Sequence, residues 1–302
     1  MAIRDIVVQQ GADARSTARL EAAAALAKRH GARLTGIYPL PEIRLPGSLR
    51  AAVGRDALAG QEARLAGAAE AAQAAFERRL AAAGLAGAWR RPRGRAADCL
   101  LRAARGADLT LVGQADPEDP AGEPGLAEEV VLGAGGPVLV LPYAGDFPAI
   151  GRRVLVAWNG SRESARALHD ALPLLAGAER VVLYAVNRPG GRHPSAEELA
   201  AHLKRHGVPV ASEATVTRDE VRSTDASLSP IGRYGAAGQG EMRHTPAQAI
   251  SEGDALLAAL SDEAIDLLVM GAYGHSRLRE LVLGGVTREL LGHMTAPVLM
   301  SH

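Results

Sequence analysis

Short apolar runs recur along the chain, separated by stretches long enough for helices. Ile6-Val7-Val8 lies inside the first run, Ile3 to Gln9, which reads as a buried strand. Thr17 to Arg29 then sets Ala18, Leu20, Ala24, Ala25 and Leu26 among charged residues, the pattern of an amphipathic helix. Gly31 closes it, and Arg33 to Tyr38 is the next strand. An alanine-rich helix is expected from about Asp56 to Ala83, although Gly60 and Gly67 weaken its interior. Ala86 to Arg91, Asp108 to Val112 and Pro137 to Leu141 complete the strands of this half. Helices over Ala96 to Arg105 and Leu126 to Leu132 lie between them.

After a linker, Tyr143 to Gly151, the order begins again. Strands are expected at Arg153 to Trp158, Glu179 to Val186, Val208 to Val216, Ile265 to Met270 and from Pro297. Helices are expected over Ser161 to Leu175, Ser195 to His206 and Gly253 to Leu260. The halves align motif by motif. Arg4 to Val8 faces Arg153 to Ala157, Ala107 to Gly113 faces Ile265 to Gly271, and Gly136 to Leu141 faces Ala296 to Met300. Alternating strands and helices with short connections predict parallel sheets covered on both faces. The reading is α/β: two tandem three-layer domains, 1–143 and 152–302, each with a five-stranded parallel sheet. One stretch breaks the pattern. Thr217 to Ser251 is polar, rich in glycine and without periodicity. An insertion of that length is expected to be a lid, an oligomer contact or a disordered segment.

Composition narrows the function classes. Lys+Arg and Asp+Glu both total 34, which argues against a protein that grips nucleic acid through a strong positive field. Aromatic residues are 3%, so stacking platforms for bases are scarce. One cysteine, Cys99, rules out an internal disulfide and fits a reducing compartment. No apolar run reaches membrane-spanning length, and no secretory leader is visible, so a soluble cytoplasmic protein is expected.

The chemistry concentrates between Asp266 and Met300. An apolar strand runs into Gly271 and Gly274; a helical segment then carries Gly284, Gly285, Val286 and Thr287. A loop after a parallel strand lies at the end of the sheet where such folds bind ligands. Glycines let backbone N–H groups approach an anion, and a helix start favours phosphate. Thr287 would cap that helix or touch a phosphate; the plain alternative is that these glycines only make tight turns. The pattern G-x-x-x-x-G-K-[ST] is absent, and no G-x-G-x-x-G follows the first strand of either half.

Gly271-x-x-Gly274, nine residues and then Gly284 resembles the ATP-binding signature of the universal stress protein family. Gly285 stands at that signature's serine/threonine position. The stretch Gly271 to Arg277 with Gly284 to Thr287 is similar to tandem bacterial members. The resemblance implies an adenine nucleotide alpha hydrolase-like fold in both halves. It also implies an adenine nucleotide, ATP with Mg2+ as its usual companion, on Gly271, Gly274, Gly284, Gly285 and Val286 of the second half. The family's aspartate at the end of the first strand is replaced by Asn159, which can donate and accept hydrogen bonds but brings no carboxylate. His275 and Arg277 lie near the implied phosphates, and Ser161 reads as an ordinary helix cap. A pseudo-dimer of the two domains within the chain, a homodimer and an unidentified protein partner are further implications. Val138 to Leu141 and Val298 to Met300 would be the paired strands.

The first half departs further from the signature. Gln9-Gln10-Gly11 stands where the family is acidic, and Gln114-Ala115-Asp116-Pro117 follows Gly113 without a second glycine. That half reads as a structural partner. No nucleophile or general base stands out. Cys99 reads as core filler, Asp266 as structural, and His244, His293 and His302 lack zinc-ligand spacing. A binding role in stress adaptation or signalling is therefore expected, with at most slow ATP hydrolysis. The alternative is a nucleotide-independent scaffold or protein-interaction module on the same fold.

Overall fold

The computed structural model describes residues 2–42, 55–187, 194–217, 252–272 and 285–302. It divides into two compact units, Ala2–Pro148 and Ala149–His302. Both are α/β: parallel strands flanked by helices. No helix among the described residues is long and apolar enough to cross a membrane. Most of the Thr217 to Ser251 insertion lies outside the described residues.

In the N-terminal unit the elements are β1 (Asp5–Gln9), α1 (Ser16–His30), β2 (Arg33–Ile37), α2 (Arg55–Ala83), β3 (Gly87–Arg90), α3 (Ala96–Ala104), β4 (Leu109–Gly113), α4 (Leu126–Gly133) and β5 (Val138–Leu141). The strand order is β3-β2-β1-β4-β5, with each pair parallel. Gly31 ends α1 in the left-handed region at φ 62°, and its N–H closes back on the carbonyls of Ala27 and Lys28. Only glycine takes that conformation without steric cost. Helix α2 runs unbroken through Gly60 and Gly67, whose missing side chains face open space.

The C-terminal unit contains β6 (Arg153–Trp158), α5 (Arg162–Leu175), β7 (Arg180–Asn187), α6 (Ala196–Arg205), β8 (Val210–Thr217), α7 (Glu252–Asp262), β9 (Leu267–Gly271), α8 (Gly285–His293) and β10 (Val298–Ser301). Its order is β10-β9-β6-β7-β8, again with parallel pairs. The central strands are apolar on both faces because helices cover both. Val154, Leu155, Leu267, Leu268, Val298 and Leu299 are all fully buried. Helix α6 opens with a reciprocal cap: Ser195 Oγ accepts from Glu198 N, and the Glu198 carboxylate accepts from Ser195 N.

One aspartate does the same work in each unit. Asp108, just before β4, accepts from the backbone N–H groups of Arg4 and Asp5 at 2.7 and 2.9 Å. Asp266, just before β9, accepts from those of Gly151, Arg152 and Arg153 at 2.7 to 3.2 Å. The carboxylates satisfy the donors that open β1 and β6, at the end of the sheet opposite the expected site. This is the structural role the sequence implied for Asp266.

These contacts also correct the alignment of the halves by one residue. Ile6 pairs with Leu109 and Val154 with Leu267, each one residue after its aspartate. Ile6 therefore corresponds to Val154, not Leu155, and Gln10 to Trp158. Two arginines, Arg4 and Arg153, sit one step out of register and draw a sequence alignment to the wrong frame.

Candidate functional site

In the C-terminal unit the chain leaves β6 toward β7 on one side and later returns to β9 on the other. The crevice at the carboxyl ends of β6 and β9 is the place where such a sheet opens to a ligand. β6 ends at Trp158. Asn159 and Gly160 turn the chain, with Gly160 at φ 74°, and Ser161 caps α5. Ser161 Oγ accepts from Ser164 N at 3.1 Å. Asn159 Oδ1 accepts from Ser161 N at 3.0 Å, closing an Asx turn. That oxygen is thus engaged by the backbone.

β9 ends at Gly271, whose backbone is not in the left-handed region. Its requirement is space. A Cβ there would stand 2.4 Å from Ser164 N and 2.5 Å from the Glu163 carbonyl carbon. The end of β9 and the first turn of α5 are therefore in backbone contact, which only glycine permits. Helix α8 starts at Gly285, which is exposed and has no described atom within 4 Å of where a Cβ would stand. Val286 is half-buried, and Thr287 is 3% exposed within the first turn. Thr287 is therefore inside the helix and not before it as a cap. The first N–H groups of α8 lack partners within the helix, and its dipole favours negative charge there. Of the expected site residues, the structure sets Asn159 and Gly271 on the β6–β9 side, and Gly285, Val286 and Thr287 at the start of α8. Gly274, His275 and Gly284, with Arg277, lie outside the described residues.

The model of the universal stress protein family matches residues 151–302, half of the chain. The chain belongs to the universal stress protein family. It is 50% identical to universal stress protein Slr1230 of Synechocystis over 46 residues, which is 15% of this chain and 16% of that protein. Among solved structures, it is similar to a universal stress protein of Archaeoglobus fulgidus, with a TM-score of 0.69 and 15% identity. That likeness covers 98% of this chain and 95% of the other. A functionally unknown protein of Pseudomonas aeruginosa matches with a TM-score of 0.54 and 14% identity, over 99% of this chain and 92% of its own. At such identities the two structures speak for the fold.

The N-terminal unit of this universal stress protein holds a cavity of about 270 Å3 at the carboxyl ends of β1 and β4. Several of its polar groups are already paired, although the buried Arg15 Nε–H on its lining has no partner among the described residues. Arg19, with a side chain 3% exposed, grips Asp13 with two nitrogens at 2.9 and 2.6 Å and donates through Nε to Gln9 O at 3.1 Å. Gln9 Oε1 accepts from Gly113 N at 2.9 Å. Asp119 accepts from Ala14 N and Ala121 N, and those bonds hold its carboxyl below the usual range. Burial, and then the charge of Asp13, push the Tyr38 hydroxyl up. A phosphate entering here would meet carboxylates on its would-be donors. The absence of a second glycine after Gly113 was legible; the Arg19–Asp13 pair was not, because nothing in their spacing marks an ion pair.

Other side chains named from the sequence have quieter settings. Cys99 is buried, and desolvation raises its thiol, consistent with a packing residue. His293 is exposed at the end of α8, and His302 Nδ1 lies 3.4 Å from Ala272 O. His244 lies outside the described residues. No group of three His, Cys, Asp or Glu able to hold a metal occurs among the described residues. The sequence reading missed one cluster. His202 packs between His169 and His206, with ring centroids 5.6 and 4.7 Å apart. The i, i+4 spacing of His202 and His206 is visible in sequence; the approach of His169 from α5 is not.

Proposed function

We propose that this chain is a tandem universal stress protein that binds an adenine nucleotide, ATP, through its C-terminal unit and acts in stress adaptation or signalling. The domains would be 1–143 and 152–302, each with the adenine nucleotide alpha hydrolase-like arrangement. The observation that carries the reading is the contact of Gly271 with the first turn of α5, at the carboxyl end of β9. It gives a signature glycine a steric reason, and the first N–H groups of α8, which have no partner within the helix, suit a phosphate. Gly274, His275 and Gly284 complete the loop in this reading, and Asn159 presents its NH2 to the ligand. Mg2+ would enter on the phosphates. The role requires binding and no catalytic group.

Titration calorimetry with ATP, ADP and AMP tests it. Saturable heat with one nucleotide per chain is expected, since the buried Arg19 of the N-terminal cavity is already bound to Asp13 and Gln9 O. No saturable heat at millimolar nucleotide overturns the proposal. A stoichiometry of two overturns the assignment to the C-terminal unit alone.

A further inference from the structure

Trp158 is the last residue of β6 and is 5% exposed. Its Nε1–H is buried and has no acceptor among the described residues. Indole nitrogen can only donate. A donor withdrawn from water with nothing to meet carries an unrecovered desolvation cost, and such groups call for a specific explanation. Trp89 Nε1 is also without an acceptor, but Trp89 is half-buried on β3, where its ring packs on Tyr38 and Phe76. Trp158 is different in place. It immediately precedes Asn159 at the crevice between β6 and β9.

The register of the two units identifies the equivalent position in the N-terminal unit. Trp158 corresponds to Gln10, counted from the Ile6–Leu109 and Val154–Leu267 pairs. Gln10 lines the cavity of the N-terminal unit, and its Nε2 donates to Gln9 O and Ser16 O, against the start of α1. At Gln10 the donor is therefore satisfied internally. At Trp158, with a rigid ring in the same register, it is left over.

We infer that the Trp158 indole N–H is a hydrogen-bond donor held for the ligand, meeting an acceptor on the nucleoside part of the bound nucleotide. The inference rests on the nucleotide reading of the same crevice. The phosphates are drawn to the start of α8, so the donor on β6 falls to the other end of the molecule. Trp158 acts here as a binding and specificity residue: it rewards an acceptor atom and penalises a ligand that presents carbon there.

Calorimetry of the full chain and of Trp158→Phe with ATP and AMP tests this. The expected result is a loss of about tenfold in affinity, equal for the two ligands because they share the nucleoside. An unchanged Kd overturns the inference. A loss confined to ATP overturns the nucleoside assignment. A second measurement does not depend on how Trp158→Phe folds. The chain has two tryptophans, so Trp89→Phe leaves Trp158 as the only indole emitter. Saturating AMP should shift that emission, and a spectrum unmoved under conditions where calorimetry detects binding overturns the contact. If the unmodified chain binds no nucleotide, the proposed function fails and this inference with it. If it binds normally and both tryptophan experiments are silent, only this inference fails.

Discussion

Gly271 stands so close to α5 that a Cβ on it would lie 2.4 Å from the backbone nitrogen of Ser164. Backbone cannot swing aside as a long side chain can. Gly271→Ala is therefore expected to push β9 from α5, at a cost of about 1–3 kcal/mol. Thermal unfolding would show a lowered Tm, and nucleotide affinity should fall in the same variant because the displaced strand end frames the crevice.

Gly285 makes the opposite prediction. No described atom lies within 4 Å of where its Cβ would stand, so a serine fits there without displacement. Gly285→Ser should leave stability within about 0.5 kcal/mol and tighten ATP binding several-fold, by adding a hydroxyl at the helix start. Equal or weaker binding would show that the site does not use that position.

Asp266 satisfies three backbone donors, and a neutral, shorter side chain leaves them to water or to nothing. Asp266→Ala is expected to destabilise the chain by about 1–3 kcal/mol, read from urea midpoints. Asp108→Ala, which frees two donors, should cost less.

Arg19 and Asp13 are coupled in a nearly dry setting. Arg19→Ala strips the counter-charge from Asp13 and the donor from Gln9 O. The expected cost is about 3 kcal/mol, and a double-mutant cycle with Asp13→Ala should recover much of it.

His202 and His30 give the chain an acid-sensitive component. Burial lowers both, followed by the neighbouring charge of His206, then His169 and Arg205, for His202, and by Arg29 for His30. As pH falls through the ordinary histidine value of 6.5, the unfolded chain takes up protons more readily than these folded rings do. The unfolded state then binds more protons, so stability falls as pH drops and is regained above that value. Denaturation midpoints measured from about pH 7 to about pH 5 should decline, and His30→Gln with His202→Gln should flatten the curve.

The order of elements was readable because each strand is a short apolar run closed by turn residues, as at Ala107 to Gly113 and Ile265 to Gly271. The frame between halves was misread by one residue because register follows the hydrogen bonds that Asp108 and Asp266 accept, not the matching arginines nearby. Gly271 was found as a signature residue, yet its reason is a contact with Ser164, far earlier in the chain. The unmatched indole of Trp158 and the Arg19–Asp13 pair depend on which donors meet acceptors in space. Composition and periodicity carry no record of that.

The aspartate clamps at Asp108 and Asp266 have a practical consequence. They fasten the entering strands at the end of each unit away from its crevice, so these two residues hold the fold without taking part in the crevice. In the N-terminal unit Arg19 and Gln10 on the rim already donate internally while the base keeps the clamp. That rim is a place where a protein engineer can write in new recognition chemistry, leaving the foundation untouched.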